Sequence, residues 1–176
     1  MIRIIPMSVK RRMLLQAIPV MFLLFLQFGL RAQQPPPRPI SVSANPALGL
    51  RFGAFFQSTS GGTVIVSPSG IRTSTGAVVL TTVGGYSYGA AEFDIVASPG
   101  TLINIVNGPD VTLFGSAGGS MTLHIGNSSP VSPLVTTVSP PSYNAIYIGG
   151  TLTVGSPVAN PTGSYSGSFS VTFMQE

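Results

Sequence analysis

The end of the chain carries the feature that most limits the fold. Tyr165, Gly167, Phe169, Val171 and Phe173 occupy alternate positions, with Ser164, Ser166, Ser168, Ser170 and Thr172 between them. Successive side chains of a β-strand point to opposite faces, so this run has one apolar face and one hydroxyl face. The same rhythm recurs upstream: Ala91, Phe93, Ile95 and Ala97 alternate with Glu92 and Asp94, and Met121, Leu123 and Ile125 alternate with Thr122 and His124. Residues 63–67, 77–82, 102–106, 111–114, 145–148 and 151–154 read as further strands, and no helical period occurs from Ile40 onward. Ser67-Pro68-Ser69-Gly70, Gly84-Gly85, Ser98-Pro99-Gly100, Asn107-Gly108-Pro109-Asp110, Gly118-Gly119 and Gly149-Gly150 read as turns, because Gly and Asn accept φ > 0. About eight to ten short antiparallel strands predict an all-β fold, an immunoglobulin-like or pilin-like β-sandwich. A membrane-spanning barrel needs strands of roughly 9–11 residues and aromatic girdles. These runs are shorter and the chain has no Trp, so the sandwich is favoured.

Ahead of the strands the composition changes twice. Residues 1–12 are basic and end in Lys10-Arg11-Arg12, residues 13–30 are apolar, and Leu30-Arg31-Ala32 offers a small residue at a cleavage point. Residues 1–32 therefore read as a signal peptide. An uncleaved anchor is the alternative, but Gln16, Pro19 and Gln27 interrupt the apolar stretch. Met13-Leu14-Leu15-Gln16 fits a twin-arginine signal poorly, so ordinary secretion is expected, with no membrane span in the mature protein. Residues 33–39 hold Pro35, Pro36, Pro37 and Pro39 and read as a stiff spacer, which leaves residues 40–176 for the β-sandwich domain.

Removing the leader reverses the charge. The formal +4 of the whole chain includes Arg3, Lys10, Arg11, Arg12 and Arg31; beyond Ala32, Arg38, Arg51 and Arg72 face Glu92, Asp94, Asp110 and Glu176, for a net −1. A nucleic-acid-binding surface needs clustered Lys and Arg, and this part has no Lys, so nucleic acid is excluded as a partner. One His and no Cys leave no means of building the common zinc, haem or thiolate sites, so no cofactor is expected. A domain of this size buries roughly 70% of its unfolded surface and needs no disulfide.

Several segments together resemble a bacterial family known as domain of unknown function 4402. These are Leu50-Arg51-Phe52-Gly53; the run from Gly61-Gly62-Thr63 through Ser67-Pro68-Ser69-Gly70 to Arg72; Gly150-Thr151-Leu152-Thr153-Val154-Gly155; and the alternating C-terminal run. An acidic residue is more usual in the family at the position of Arg51, and Asp at that of Ser69. The likeness spans residues 50–176. It implies a small exported bacterial protein, similar to pilin-like and spore-coat-like surface proteins, and brings no catalytic residues with it.

Candidate sites are few. Glu92 and Asp94 share a strand face about 7 Å apart, within reach of a glycosidase carboxylate pair. The opposite face is apolar, so a solvated outer face is the expected setting and catalysis is not expected. Calcium on Glu92, Asp94 and Asp110 would need six or more oxygen ligands in a chain poor in acids. His124 has no nucleophile motif beside it, Gly115-Ser116-Ala117-Gly118-Gly119 lacks the lysine and helix of a phosphate loop, and Asn127-Ser128-Ser129 marks a surface loop. Tyr86, Tyr88, Tyr143 and Tyr147 lie in Gly/Ser/Pro-rich stretches; they either cap the ends of the sandwich or stack on sugars, with Tyr86, Tyr88 and Tyr147 as the glycan candidates. Ile40, Val42 and Ala44 alternate directly after the spacer. They form either the first strand of their own sheet or an assembly strand that completes a neighbour's. The expectation is a secreted, non-enzymatic structural or adhesive protein of the cell surface, fimbrial-like, associating with itself or with another surface or outer-membrane protein. The alternative is a monomeric carbohydrate-binding module.

Overall fold

The computed structural model describes residues 38–176; the signal-peptide expectation and most of the proline spacer lie outside the described residues. Alternation becomes strand almost throughout: β1 (Ser41–Ala44), β2 (Arg51–Phe52), β3 (Phe55–Val66), β4 (Arg72–Leu80), β5 (Tyr88–Gly89), β6 (Ala91–Val96), β7 (Leu102–Asn107), β8 (Val111–Gly115), β9 (Ser120–Ser129), β10 (Leu134–Val135), β11 (Asn144–Val154), β12 (Tyr165–Ser166) and β13 (Val171–Gln175). Among the described residues the only helical elements are two 3-10 turns, Pro46–Leu48 and Val83–Gly85. No helix among them is long and apolar enough to cross a membrane.

The large sheet runs β1-β6-β11-β9-β8-β12, and β11 organises it. The first half of β11 pairs with β6, its second half pairs with β3, and β4 extends the sheet beyond β3. A second sheet, β10-β7-β13, supplies the other apolar face, and β2-β5 forms a short ladder of its own. All of these pairings are antiparallel. The core is the inward set of alternating residues: Val64 and Val66 on β3, Ile95 on β6, Ile103 on β7, and Ile146 and Ile148 on β11 are fully buried. Burying each of these contributes roughly 1.5–3 kcal/mol. Phe93 of β6 meets Phe169 edge-on at 6.3 Å and Phe173 of β13 at 5.3 Å, tying the two sheets together through their rings.

On the opposite face of the large sheet, Thr75, Thr63, Thr153, Thr122 and Thr112 are successive cross-strand partners on β4, β3, β11, β9 and β8. The Thr63 and Thr75 hydroxyls lie 2.6 Å apart. Polar cross-strand pairs of this kind help pin register, and a one-residue slip would turn Leu152 and Leu123 out to solvent.

Two readings of the sequence are corrected. Gly149-Gly150 is not a turn, and residues 144–154 form one strand. Neither glycine has positive φ. Both are required by close approach, since a Cβ on Gly149 would lie 2.3 Å from the Val66 carbonyl oxygen and one on Gly150 would lie 2.8 Å from Leu50 Cδ2. The C-terminal run keeps its alternation but divides, with β12 pairing with β8 in the large sheet and β13 with β7 in the small one.

Candidate functional site

The register of three adjacent strands builds the floor of a cleft on the outer face of the large sheet. Tyr147 of β11 has Glu92 of β6 as its partner on one side and Ser129 of β9 on the other. The walls come from Leu48 after β1, from Arg51 of β2 and its partner Gly89 of β5, from Ala90 before β6, and from Pro68, Ser69 and Gly70 in the β3–β4 turn. The cavity measures about 320 Å³ and opens to solvent.

Local sequence explains the wall. Asn45 caps the Pro46–Leu48 turn, its side chain accepting the Ala47 N–H at 3.1 Å, and its own N–H donates to the Glu92 carbonyl oxygen at 3.0 Å. The turn therefore folds back across β6. Arg51 then donates from Nη1 to the Ala47 carbonyl oxygen at 2.7 Å. Its Nε is buried and has no partner among the described residues.

Glu92 is only 8% exposed, which corrects the expectation of a solvated outer face. Burial, then the neighbouring Asp94 charge, then a hydrogen bond to the Asp94 side chain raise its pKa above the ordinary 4.5. Its carboxyl group is therefore easier to protonate than that of a free glutamate. A glycosidase pair instead flanks the scissile bond with its carboxyls about 5 Å or more apart, and Asp94 does not line the cleft. The arrangement suits hydrogen bonding to a ligand better than cleavage of one. Asp110 is on other business: its Oδ1 pairs with His124 Nδ1 at 2.7 Å on an exposed part of the β8–β9 edge. Among the described residues no group of three His, Cys, Asp or Glu side chains could hold a metal ion.

The remaining candidates separate. Of the glycan tyrosines, Tyr147 lines the cleft. Tyr88 has the Arg72 guanidinium 4.2 Å from its ring centroid, so one ring face is covered, and Tyr86 is exposed on the loop before β5. Tyr143 is exposed just ahead of β11. Ser41 to Ala44 form an edge strand whose partner in the sheet is β6. Val42 and Ala44 stand opposite Ile95 and Phe93, and Ile40 packs against the core. The sequence reading missed the roles of Arg51, Leu48 and Ser129 in the cleft. A surplus arginine two residues past a proline turn was the only available signal for the first.

Arg72 has a structural role. Its guanidinium donates to the carbonyl oxygens of Phe52 at 2.9 Å, Ala54 at 3.2 Å and Thr81 at 2.9 Å. This joins the Phe-Gly element and the arginine, two separate motifs in sequence, into one unit.

A family model described as "Domain of unknown function (DUF4402)" matches residues 40–174. No curated protein and no solved structure matches the chain.

Proposed function

We propose, from the premise that the chain belongs to the DUF4402 family, that it is an exported, non-enzymatic subunit of a bacterial cell surface that assembles by strand exchange. The observation that most supports this is β1: four residues long, exposed at every one, and bonded to the rest of the sheet only along β6. Such an edge is a template for another chain. Val42 and Ala44 face the same side as Phe93 and Ile95, so the strand of a neighbour can supply the same apolar pair to the same ladder. Pro35, Pro36, Pro37 and Pro39 before it have no N–H to donate to a ladder. Because donor strand and acceptor edge are different surfaces, the contact repeats head to tail and yields a filament.

The chain has no cysteine, so a disulfide between Ser41→Cys and Val96→Cys, which are cross-strand partners, reports where β1 pairs. Oxidised as dilute monomer, this variant closes within one chain and stays monomeric by light scattering. Oxidised after concentration, it gives a ladder of interchain-linked species on a non-reducing gel. Intrachain closure alone under both conditions, with the parent protein monomeric in electron micrographs, refutes assembly through β1. A glycan-binding reading is favoured by Tyr147 in the cleft rather than by a tyrosine-lined face.

A further inference from the structure

We infer that the cleft over Glu92, Tyr147 and Ser129 is a binding site for a neutral saccharide. The inference does not rest on strand exchange, although the cleft and β1 both adjoin β6. Ligand sites in proteins are concave, offer an apolar platform and converge a few polar groups upon it, in volumes of roughly 300 Å³ upward. This cleft, at about 320 Å³, has room for a small sugar. Tyr147 is 39% exposed on its floor and offers a ring on which the apolar face of a pyranose can stack.

The polar groups select against ions. The lining holds one carboxyl group, Glu92 at the floor, and one guanidinium, Arg51 on the wall. One acid set against one cation leaves little net field for either a metal ion or an anion. What remains is hydrogen-bonding capacity. The Glu92 carboxyl group accepts hydrogen bonds from sugar hydroxyls, and Arg51 donates them. Arg51 is held on one side by Ala47, while its buried Nε lacks a partner among the described residues. The rest of its guanidinium supplies hydrogen-bond donors on the wall of the cavity. Ser69 adds a hydroxyl at the rim and Ser129 one at the floor.

The test uses the full chain on an array of defined oligosaccharides, holding both animal-type glycans and bacterial envelope saccharides, neutral and acidic. A neutral sugar from either source should bind. With the best neutral sugar, Tyr147→Ala should weaken binding about tenfold or more, equivalent to about 1.4 kcal/mol. Tyr143→Ala, an exposed tyrosine outside the cleft, should leave it unchanged. Should Tyr147→Ala fail to fold, amide shifts of the unaltered protein titrated with that sugar decide the matter: they should cluster at Arg51, Glu92, Ser129 and Tyr147. No signal from any neutral sugar, a preference for uronic or sialic acids, shifts that cluster elsewhere, or tighter binding of calcium chloride alone would overturn the inference. Strand exchange is read from disulfide pattern and mass, so the failure of one proposal leaves the other standing.

Discussion

Gly53 and Arg72 should lose their independence when mutated together. Gly53 has φ +68°, and a Cβ placed on it would lie 2.4 Å from Arg72 Nη1. Arg72→Met removes three charge-assisted hydrogen bonds, to Phe52, Ala54 and Thr81. Ala54 keeps the Thr81 N–H as a donor at 3.1 Å, so two lost bonds dominate. At about 1.5 kcal/mol each, the low end appropriate to a half-buried guanidinium, they amount to about 3 kcal/mol, and loss of stacking on Tyr88 adds about 0.5. Gly53→Ala incurs left-handed backbone strain of about 1–2 kcal/mol and also displaces the guanidinium, for about 3 in total. With Arg72 already replaced by Met, only the strain remains. The double variant should therefore be about 1–2 kcal/mol more stable than the sum of the single effects predicts. Urea unfolding followed by far-ultraviolet circular dichroism and tyrosine fluorescence measures the four corners of the cycle. Additivity within about 0.5 kcal/mol would mean that the two motifs do not form one unit.

Three further perturbations are direct. Glu92 has a raised folded-state pKa, so between the ordinary 4.5 and that higher value the native state binds more protons than the unfolded chain, and stability falls as pH rises through this window. Glu92→Gln should abolish that fall, with no gain below the window and a gain above it; parallel stability–pH curves for the two proteins would contradict the assignment. Gly149→Ala pushes a methyl into the Val66 carbonyl oxygen and the Pro68 nitrogen, both backbone atoms that cannot step aside, and thermal unfolding should show a loss of about 2 kcal/mol or more. Asn160 is 2% exposed; its side chain accepts the Gly155 N–H and donates to the Ser120 carbonyl oxygen. Asn160→Ala should lose about 2–3 kcal/mol by the same urea assay, and a loss under 0.5 would show that water replaces it.

The strands were legible because their signal is local. Alternation at residues 91–97, 121–125 and 165–173 depends only on which face each residue presents, and burial follows it at Ile95, Leu123 and Ile125. Turns at Gly70, Gly84, Gly100 and Gly118 were legible for the same reason, since each has positive φ. Gly149-Gly150 looked identical on paper but serves packing between strands far apart in sequence, a cause no local pattern carries. Glu92 failed in the same way. Its neighbours on β6 predict a wet face, whereas segments distant in sequence, Leu48 and Arg51 among them, surround it. The cleft brings three wall segments together over three strands, so its residue types were visible while their convergence was not.

Both proposals meet on β6, and the chemistry of Asn45 decides whether they interfere. Its N–H is bonded to the Glu92 carbonyl oxygen, its side chain holds the Ala47 N–H, and its carbonyl accepts the Leu48 N–H at 3.0 Å. Arg51 adds a fourth tie through Ala47. By contrast Ser41, Val42, Ser43 and Ala44 are exposed, and the ladder to β6 is their one strand pairing. Peeling β1 away therefore breaks fewest bonds if it stops at Asn45, which leaves Leu48 and Arg51 on the cleft wall. Assembled and monomeric protein should then bind the same saccharide with affinities within about threefold, a difference below about 0.7 kcal/mol. If assembly instead abolishes binding, the hinge lies beyond Leu48, the wall travels with the exchanged strand, and by linkage the sugar must oppose assembly as strongly as assembly opposes the sugar.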